Sequence, residues 1–167
     1  MTKEEYQKAI SHWTEKDKTA VKADRETLLH SAETILKERK NGVLGTAFEN
    51  QPRCTPVDYA YFDGAIYILS EGGLKYQGLE QNKQVSFAVY FPDGTFGNLK
   101  SVQINGIAEM VSHNSEEYRK NAEVRGYSCS ALQNLHMHLI KIIPKEMTIL
   151  DSELRNQKFD SRGIVKL

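Results

Sequence analysis

Residues 53–70 read RCTPVDYAYFDGAIYILS, in which an Asp-Gly pair separates two β-rich runs. Such a pair between strand-forming runs is typical of a two-residue type I′ hairpin turn. We therefore expect residues 55–61 to pair antiparallel with residues 66–70 across that turn. Pro56 has no N–H to donate to a sheet, so it belongs at a strand edge or bulge, where a ligand can approach the backbone.

Further strands are predicted on both sides of this hairpin. Runs rich in β-branched and aromatic residues occur at residues 43–48, 85–90, 101–111, 136–143 and 147–150. Turn-forming residues separate several of these runs, at Asn50-Gln51-Pro52 and at Pro92-Asp93-Gly94. Gly106 interrupts the longest run and predicts a bulge or bend there.

Helices are predicted at the N-terminus and between later strands. Apolar faces at helical spacing are formed first by Tyr6, Ala9, Ile10 and Trp13, and then by Leu28, Leu29, Ala32, Ile35 and Leu36. Asp24 is the expected N-cap of the second helix, and Asn41 and Gly42 are expected to end it. Shorter helices are expected at residues 74–81 and 112–125.

This order of elements predicts a mainly β, α+β fold. Antiparallel strands linked by hairpins argue against a parallel doubly wound sheet. We expect a six- to seven-stranded antiparallel split β-barrel with an N-terminal helix pair and a crossover helix. The predicted organisation is a helical extension over residues 1–41, a barrel domain over residues 42–152 and a tail over residues 153–167.

Composition argues against several classes of protein. The 22 basic and 22 acidic residues cancel, so no net field draws the chain to nucleic acid or to an anionic membrane. Residues 1–10 are charged and lack the apolar run of a secretory signal, and no stretch approaches about 18–20 apolar residues, so we expect a cytoplasmic protein. Cys54 and Cys129 form no Cys-x-x-Cys pair, which argues against a disulfide framework or zinc ribbon.

Two cationic residues stand near one rim of the predicted hairpin. Arg53 offers a planar fork to phosphate oxygens, and Lys75 offers a mobile point charge. Ser70 and the backbone amides of residues 72–74, at the start of a helix, add neutral donors. A phosphate would suit this set. On spacing alone, the alternative stays open that both cations are solvated and paired with nearby carboxylates.

The order and spacing of several short motifs resemble one family. These motifs are RCTPVDY at residues 53–59, DG at 63–64, IYILS at 66–70, Lys75, LEQNKQVS at 79–86 and VQINGIAE at 102–109. Together they are similar to the pyridoxamine 5′-phosphate oxidase-like FMN-binding split barrels, over roughly residues 40–150. The resemblance implies a chain that binds FMN and forms a homodimer with the flavin buried between the two protomers.

The resemblance also implies the residues of the cofactor site. Arg53, Ser70 and Lys75 would hold the FMN phosphate, and the backbone of residues 54–57 would line the isoalloxazine edge. The strand that follows would reach the same flavin from the partner subunit. The full expected set is Arg53, Cys54, Thr55, Pro56, Val57, Leu69, Ser70, Leu74 and Lys75 of one chain, with Ser101 and Gln103 contributed across the dimer.

The expected function is an FMN-dependent oxidoreductase that acts on a small organic substrate, with the flavin carrying the electron or hydride. Residues 161–167 lack the Arg- and Pro-containing segment with which the true oxidase helps to hold pyridoxamine phosphate. This departure argues against vitamin B6 oxidation. The alternatives that stay open are a non-catalytic flavin-binding protein, a haem-binding protein, a cofactor related to FMN such as a deazaflavin, and a β-barrel interaction module that binds no flavin.

Other residues have two interpretations each. His136 and His138 alternate along a predicted strand, so both would face one side and could offer imidazoles to a metal or haem. The simpler interpretation is a pair of half-exposed strand histidines; with no third ligand evident, no metal site is predicted. The tyrosines could stack on a flavin or pack the core. Cys54, beside Arg53, is either a reactive thiol or a structural one.

Overall fold

The computed structural model describes residues 1–91, 95 and 97–167, so the predicted Pro92-Asp93-Gly94 turn lies outside the described residues. The helices found in these residues are α1 (Lys3–Asp17), α2 (Arg25–Glu38), α3 (Lys75–Gln81), α4 (Glu116–Val124) and α5 (Cys129–Asn134), with a 3₁₀-helix at Ser152–Gln157. The strands are β1 (Asn41–Phe48), β2 (Gln51–Asp58), β3 (Ala60–Phe62), β4 (Ala65–Ser70), β5 (Gln84–Tyr90), β6 (Lys100–Val111), β7 (His138–Asp151) and β8 (Arg162–Lys166). No helix in this part of the chain is long and apolar enough to cross a membrane.

Across the described residues, eight strands form one sheet in the order β2-β1-β5-β6-β7-β4-β3, with β8 added to β7. All paired strands run antiparallel. The end strands β2 and β3 follow each other in the chain but lie at opposite ends of this order, so the curled sheet is open between them. The predicted α+β split-barrel fold is confirmed, with one strand more than the upper predicted number.

The split begins at Tyr59, where the long strand predicted from the sequence breaks in two. Tyr59 is buried, and its N–H donates to the Lys40 carbonyl at 2.8 Å. Its hydroxyl donates to the Leu36 carbonyl, at the end of α2, at 2.9 Å. The hydroxyl bond holds the chain against α2, and the N–H bond continues the β1–β2 pairing, so that pairing with β4 starts only at Ala60.

The Asp-Gly hairpin is confirmed as a turn, but its predicted pairing is only partly correct. Asp63 and Gly64 have φ of 49° and 72°, as a type I′ turn requires. Residues 60–62 pair with β4 as expected. Residues 55–58 pair instead with β1, because the break at Tyr59 redirects them to the other end of the sheet.

Asn41 and Gly42 begin β1 and do not end α2, so that prediction was wrong. The helix stops at Glu38, and Arg39 is already extended with φ of −106°. A Cβ on Gly42 would lie 2.3 Å from Cζ of Phe87. The glycine is therefore needed for close packing of this ring, whereas the sequence pattern had indicated a helix cap.

The strands predicted at residues 136–143 and 147–150 form the single strand β7. It pairs with β6 through a register shift between Asn105 and Gly106, in agreement with the bulge predicted there. A Cβ on Gly106 would lie 2.6 Å from the carbonyl oxygen of Ile143. Only glycine allows the two strands to approach so closely at this bulge.

Residues 153–167, predicted as a tail, contain most of the 3₁₀-helix and the whole of β8. Gly163 and Val165 point inward and are buried, and a Cβ on Gly163 would lie 2.3 Å from Cδ2 of Leu28. This segment thus seals one side of the core. The sequence did not predict β8, because its five residues are too few for a period-two pattern to distinguish a strand from a loop.

Helix α2 covers the main core of the barrel. Its buried apolar residues are Leu28, Ala32, Ile35 and Leu36, as the predicted apolar face requires. Asp24 caps the helix as predicted, accepting the Thr27 N–H at 2.7 Å. Ser31 Oγ donates to Oδ2 of the buried Asp151 at 2.7 Å, which fixes α2 to the end of β7.

Helix α1 also forms as predicted, but it contributes no buried residue. Asp17, at the end of α1, forms a salt bridge with Lys22 at 2.7 Å and a longer one with Arg162 at 3.8 Å. The predicted apolar face is exposed, at Tyr6, Ile10 and Trp13. The two N-terminal helices are therefore unequal, because only α2 belongs to the core.

Helices α4 and α5 cover the far side of β4 and β7. Their second, smaller core consists of Ala65, Tyr67, Tyr118, Ala122, Leu132 and Leu139. Glu117 joins α4 to the sheet, since it pairs with Lys141 at 2.6 Å and accepts the Tyr67 hydroxyl at 2.7 Å. Both interactions lower the pKa of the Glu117 carboxyl, and the one with Lys141 has the larger effect. α4 lies within the predicted crossover helix, whereas α5 was not predicted.

Asp24→Ala is expected to lower the free energy of unfolding by about 1 kcal/mol, because it removes the N-cap of a helix that packs on the core. Thr2→Ala is the matched control, since Thr2 Oγ1 accepts the Glu5 N–H at 3.2 Å and so caps α1. It should cost far less, because α1 buries nothing. Urea unfolding followed by circular dichroism measures both, and equal losses would contradict the unequal packing of the two helices.

Candidate functional site

The loop between β4 and α3 brings together several of the predicted site residues. Gly72 and Gly73 have φ of 153° and 102°, which favours glycine. The Gly72 N–H donates to Ser70 Oγ at 3.3 Å, and Lys75 Nζ donates to the Gly72 carbonyl. Leu74 is exposed and provides no side-chain cap for α3. The loop is a tight turn closed around the Lys75 ammonium.

Lys75 is a buried cation, only 8% exposed. Burial lowers the pKa of its ammonium from the ordinary value of 10.5, because removal from water disfavours the charged form. Among the salt bridges of the described residues, none involves Lys75. A buried charge is normally paired with an opposite one, so this position is electrostatically incomplete.

Tyr76 and His138 support the loop from the protein side. The Tyr76 hydroxyl donates to the Ser70 carbonyl at 3.3 Å, and Lys75 Nζ lies 5.3 Å from the centroid of the Tyr76 ring. The His138 ring lies edge-on to Tyr76 at 5.9 Å between centroids. The sequence did not assign either residue to this loop, because the contact depends on the β4–β7 register that places His138 opposite Ser70.

Arg53 lies on the sheet face that α3 covers. It is opposite Thr46 of β1, and cross-strand partners point to the same face. Thr46 is buried beneath α3, since a Cβ on Gly78 would lie 2.9 Å from Thr46 Cβ. Arg53 is itself exposed and takes part in no salt bridge among the residues described. The helix above this face begins with Lys75, so both predicted cations belong to one side of the sheet.

The remaining predicted residues divide between two faces. Thr55 and Val57 share the inner face with Arg53, whereas Cys54 and Pro56 point outward, as strand alternation dictates. The outer face continues across β1, β5 and β6 in rows that contain Gly45, Ser86 and Asn105, then Val43, Ala88 and Gln103, then Tyr90 and Ser101. Ser101 and Gln103 therefore lie on the opposite face from Arg53 within one chain.

Two cavities open at these positions. A shallow one of about 430 Å³ is lined by Leu69, Ser70, Glu71, Gly72, Gly73 and Met137. The other, of about 580 Å³, lies beside the β1–β2 hairpin, and its lining includes Thr46, Pro52, Arg53, Cys54, Ser86 and Lys145. Cys54 is a free and exposed thiol in this second cavity. The two cavities share no lining residue.

The prediction that His136 and His138 share one strand face was wrong. His136 has φ of 52° and lies in the turn after α5, and β7 begins only at His138. The neighbour of His138 is instead His113, at 5.4 Å between ring centroids. In the described part of the chain, no group of three or more metal-binding side chains is found.

Residues 30–148 match the model of the family described as pyridoxamine 5′-phosphate oxidase. The match spans well over half of the chain and includes every predicted site residue. The chain therefore belongs to this family, and the resemblance drawn from its motifs is confirmed. Among curated proteins, none matches the chain.

Solved structures with the same fold come from proteins of different kinds. An FAD-binding protein from Mesorhizobium loti is 23% identical, with a TM-score of 0.56 over 71% of this chain and 90% of that one. HutZ, a haem storage protein from Vibrio cholerae, is 20% identical, with a TM-score of 0.58 over 70% and 89%. General stress protein 26 from Bacillus anthracis is 17% identical, with a TM-score of 0.59 over 83% and 97%. At these low sequence identities, the structural similarity establishes a shared fold only.

Lys75→Met is expected to stabilise the ligand-free protein at neutral pH, because it removes a charge that burial disfavours and keeps a similar shape. The charged form is disfavoured at every pH below the lowered pKa of Lys75. The gain should therefore shrink as the pH rises through that pKa towards 10.5. Urea unfolding at neutral and alkaline pH measures the effect. Lys166→Met, at an exposed position of β8, is the control and should show no such gain; a less stable Lys75→Met variant at neutral pH would contradict the assignment.

Proposed function

We propose that this chain is an FMN-binding flavoprotein in which Arg53, Ser70 and Lys75 hold the flavin phosphate. The observation that carries the proposal is the buried Lys75 ammonium, enclosed by a glycine-rich turn and paired with no carboxylate among the described residues. A phosphate at this turn would neutralise Lys75 and supply acceptors for charge-assisted hydrogen bonds.

The neutral donors around Lys75 also fit a phosphate. The Ser70 hydroxyl lies within the turn, and α3 starts without a side-chain cap. The N–H groups of Tyr76 and Gln77 already donate to the Gly73 and Leu74 carbonyls, so the backbone donors left for a ligand would be those of residues 73–75. Arg53, on β2 and on the same face of the sheet, would add a planar guanidinium. These residue types and their common face support the phosphate assignment; related flavin phosphates share this chemistry, and FMN is the simplest of them.

The flavin ring is proposed to lie along β2, against the backbone of residues 54–57. β2 ends the order of strands in the described sheet, so its outer edge is open to a flat ligand. Ser101 and Gln103 lie on the outer face and would reach the ring from the partner subunit of a homodimer. Tyr90 and Ile164, exposed on that same face, support its burial against a second copy.

The proposed activity is that of an oxidoreductase acting on a small organic substrate. A bound flavin would supply the electron or hydride transfer. The residues of this chain would hold the phosphate, orient the ring along β2 and exclude water from it.

A second candidate is a binding protein without turnover, for flavin or for haem. His138 and His113 lie together beside the β4–α3 loop, and the structurally similar HutZ is a haem storage protein. Haem ligation at this position predicts a Soret band that is lost in His138→Ala. Flavin storage predicts a yellow protein that reduces no substrate faster than free FMN does.

Arg53→Ala and Lys75→Ala are each expected to weaken FMN binding by about 1–3 kcal/mol, because each removes charge-assisted bonds to the phosphate. The double variant should lose more than either single one. Quenching of FMN fluorescence on titration with protein measures the dissociation constants. Riboflavin, which lacks the phosphate, should bind the original protein and both single variants with similar affinity.

Arg119→Ala is the matched control, since Arg119 is an exposed arginine of α4 whose guanidinium donates to the Asn114 carbonyl. It should leave FMN affinity unchanged. Unchanged affinity in both Arg53→Ala and Lys75→Ala would remove the site assignment. The proposed function would be refuted if the protein bound neither FMN nor haem and if neither cofactor changed its melting temperature.

A further inference from the structure

The open side of the split barrel contains a third cavity. It has a volume of about 550 Å³ and lies where β2 and β3 diverge, between the end of α2 and the end of α4. The side chains that matter for its chemistry are Lys37, Lys40, Tyr61, Arg125 and Tyr127, with Asp58 at its rim. It shares no lining residue with the two cavities near Arg53 and Ser70. We call it the split cleft.

Arg125 is the central donor of the split cleft. It is the C-cap residue of α4, and its Nη2 donates to the Tyr67 carbonyl at 2.7 Å. Tyr67 is the cross-strand partner of Ala60, the first residue of β3. This hydrogen bond therefore fixes the guanidinium at the point where the sheet opens. It uses Nη2 only, so the other N–H groups of the guanidinium do not bind Tyr67.

Two arginine side chains of this cleft carry unused buried donors. Within the described residues, Nε of Arg125 and Nε of Arg39 are both buried and have no hydrogen-bond acceptor. The only other such side chain there is Asn121. Burial also lowers the pKa of Arg125, because the guanidinium is partly withdrawn from water. The Arg39 guanidinium lies 3.9 Å over the ring of Phe91, which does not line the cleft. The unpaired Nε of Arg125 is therefore the donor that indicates a missing acceptor in the cleft.

The charges around the cleft favour an anion. Lys37 is paired with Glu33 at 2.7 Å, and Asp58 accepts the side-chain amide of Asn41. Lys40 is exposed and has no salt bridge among the residues described. The cleft therefore keeps positive charge from Arg125 and Lys40 after its internal pairs are formed. The Asp58 carboxylate, which also lines the cleft, offsets part of this charge.

Aromatic and apolar side chains line part of the cleft, beside its charged and amide groups. Tyr61 lies half-buried at its base, and Val124 and Tyr127 are 57% and 54% exposed at its mouth. Side chains of this kind pack against flat rings. A guanidinium among aromatic walls suits a carboxylate attached to a flat apolar body, because the fork binds the carboxylate and the walls bind the body.

We propose that the split cleft binds a small aromatic carboxylate, with Arg125 as its principal donor and Lys40 as a secondary one. The ligand would contact the ends of α2 and α4 together with β3, and so would join the two sides of the open sheet. Because it would bind only the folded chain, it should raise the melting temperature. The site is separate from the proposed flavin phosphate site and does not depend on it.

The test is titration of the full-length protein with 4-fluorobenzoate, followed by fluorine NMR, with and without FMN. We expect saturable binding by the carboxylate, and much weaker binding of its neutral isostere 4-fluorobenzamide. Arg125→Gln should weaken the binding of 4-fluorobenzoate by about tenfold or more, and Lys40→Gln should weaken it by about two- to threefold. Arg119→Gln, on the same helix but outside the cleft, should change nothing.

Lys40 is exposed, so Lys40→Gln keeps the proposal testable if Arg125→Gln does not fold. Equal binding of benzoate and benzamide, or full affinity in either cleft variant, would overturn the proposal. Displacement of 4-fluorobenzoate by equimolar inorganic phosphate would also overturn the aromatic carboxylate assignment. FMN affinity is measured in the same samples and should be unchanged by Lys40→Gln. Loss of FMN binding with benzoate binding intact would refute only the flavin proposal.

Discussion

The fold depends on the anchoring of Tyr59 to the end of α2. Its two hydrogen bonds, to the carbonyls of Leu36 and Lys40, break one long strand into β2 and β3. Those strands then become the two ends of a single sheet. The free edge of β2, along which the flavin ring is proposed to lie, and the split cleft both lie at this opening. The β4–α3 loop that encloses Lys75 is positioned separately, by the register of β4 with β7.

Local signals in the sequence predicted most of the elements, because those elements are set by neighbours in the chain. Asp24 as an N-cap, the Asp-Gly turn and the bulge at Gly106 each depend on one residue type at one position. The predictions failed where distant parts of the chain compete. Gly42 occurs in the pattern of a helix cap, but the structure needs glycine there because the ring of Phe87 packs against it. The strand β8 is defined mainly by its pairing with β7.

The candidate site shows the same limit. Arg53, Ser70 and Lys75 were predicted from residue type and family resemblance; Arg53 lies on the sheet face that α3 covers, and Ser70 and Lys75 lie at the two ends of the β4–α3 loop. The burial of Lys75, the support from Tyr76 and the proximity of His138 were not predicted. These features depend on the registers of β1, β4 and β7, which no short motif encodes. The split cleft has no sequence motif, since its residues come from three separated segments.

The absence of buried residues from α1 has a consequence for the substitutions that this chain can tolerate. Core packing constrains nearly every substitution on α2, because a changed volume is felt by the strands beneath it. α1 buries nothing, so its sequence is free from that selection and can diverge or lengthen while the barrel persists. The family match begins at residue 30, beyond this helix. Substitutions on the exposed surface of α1 are thus expected to leave the barrel of this chain intact.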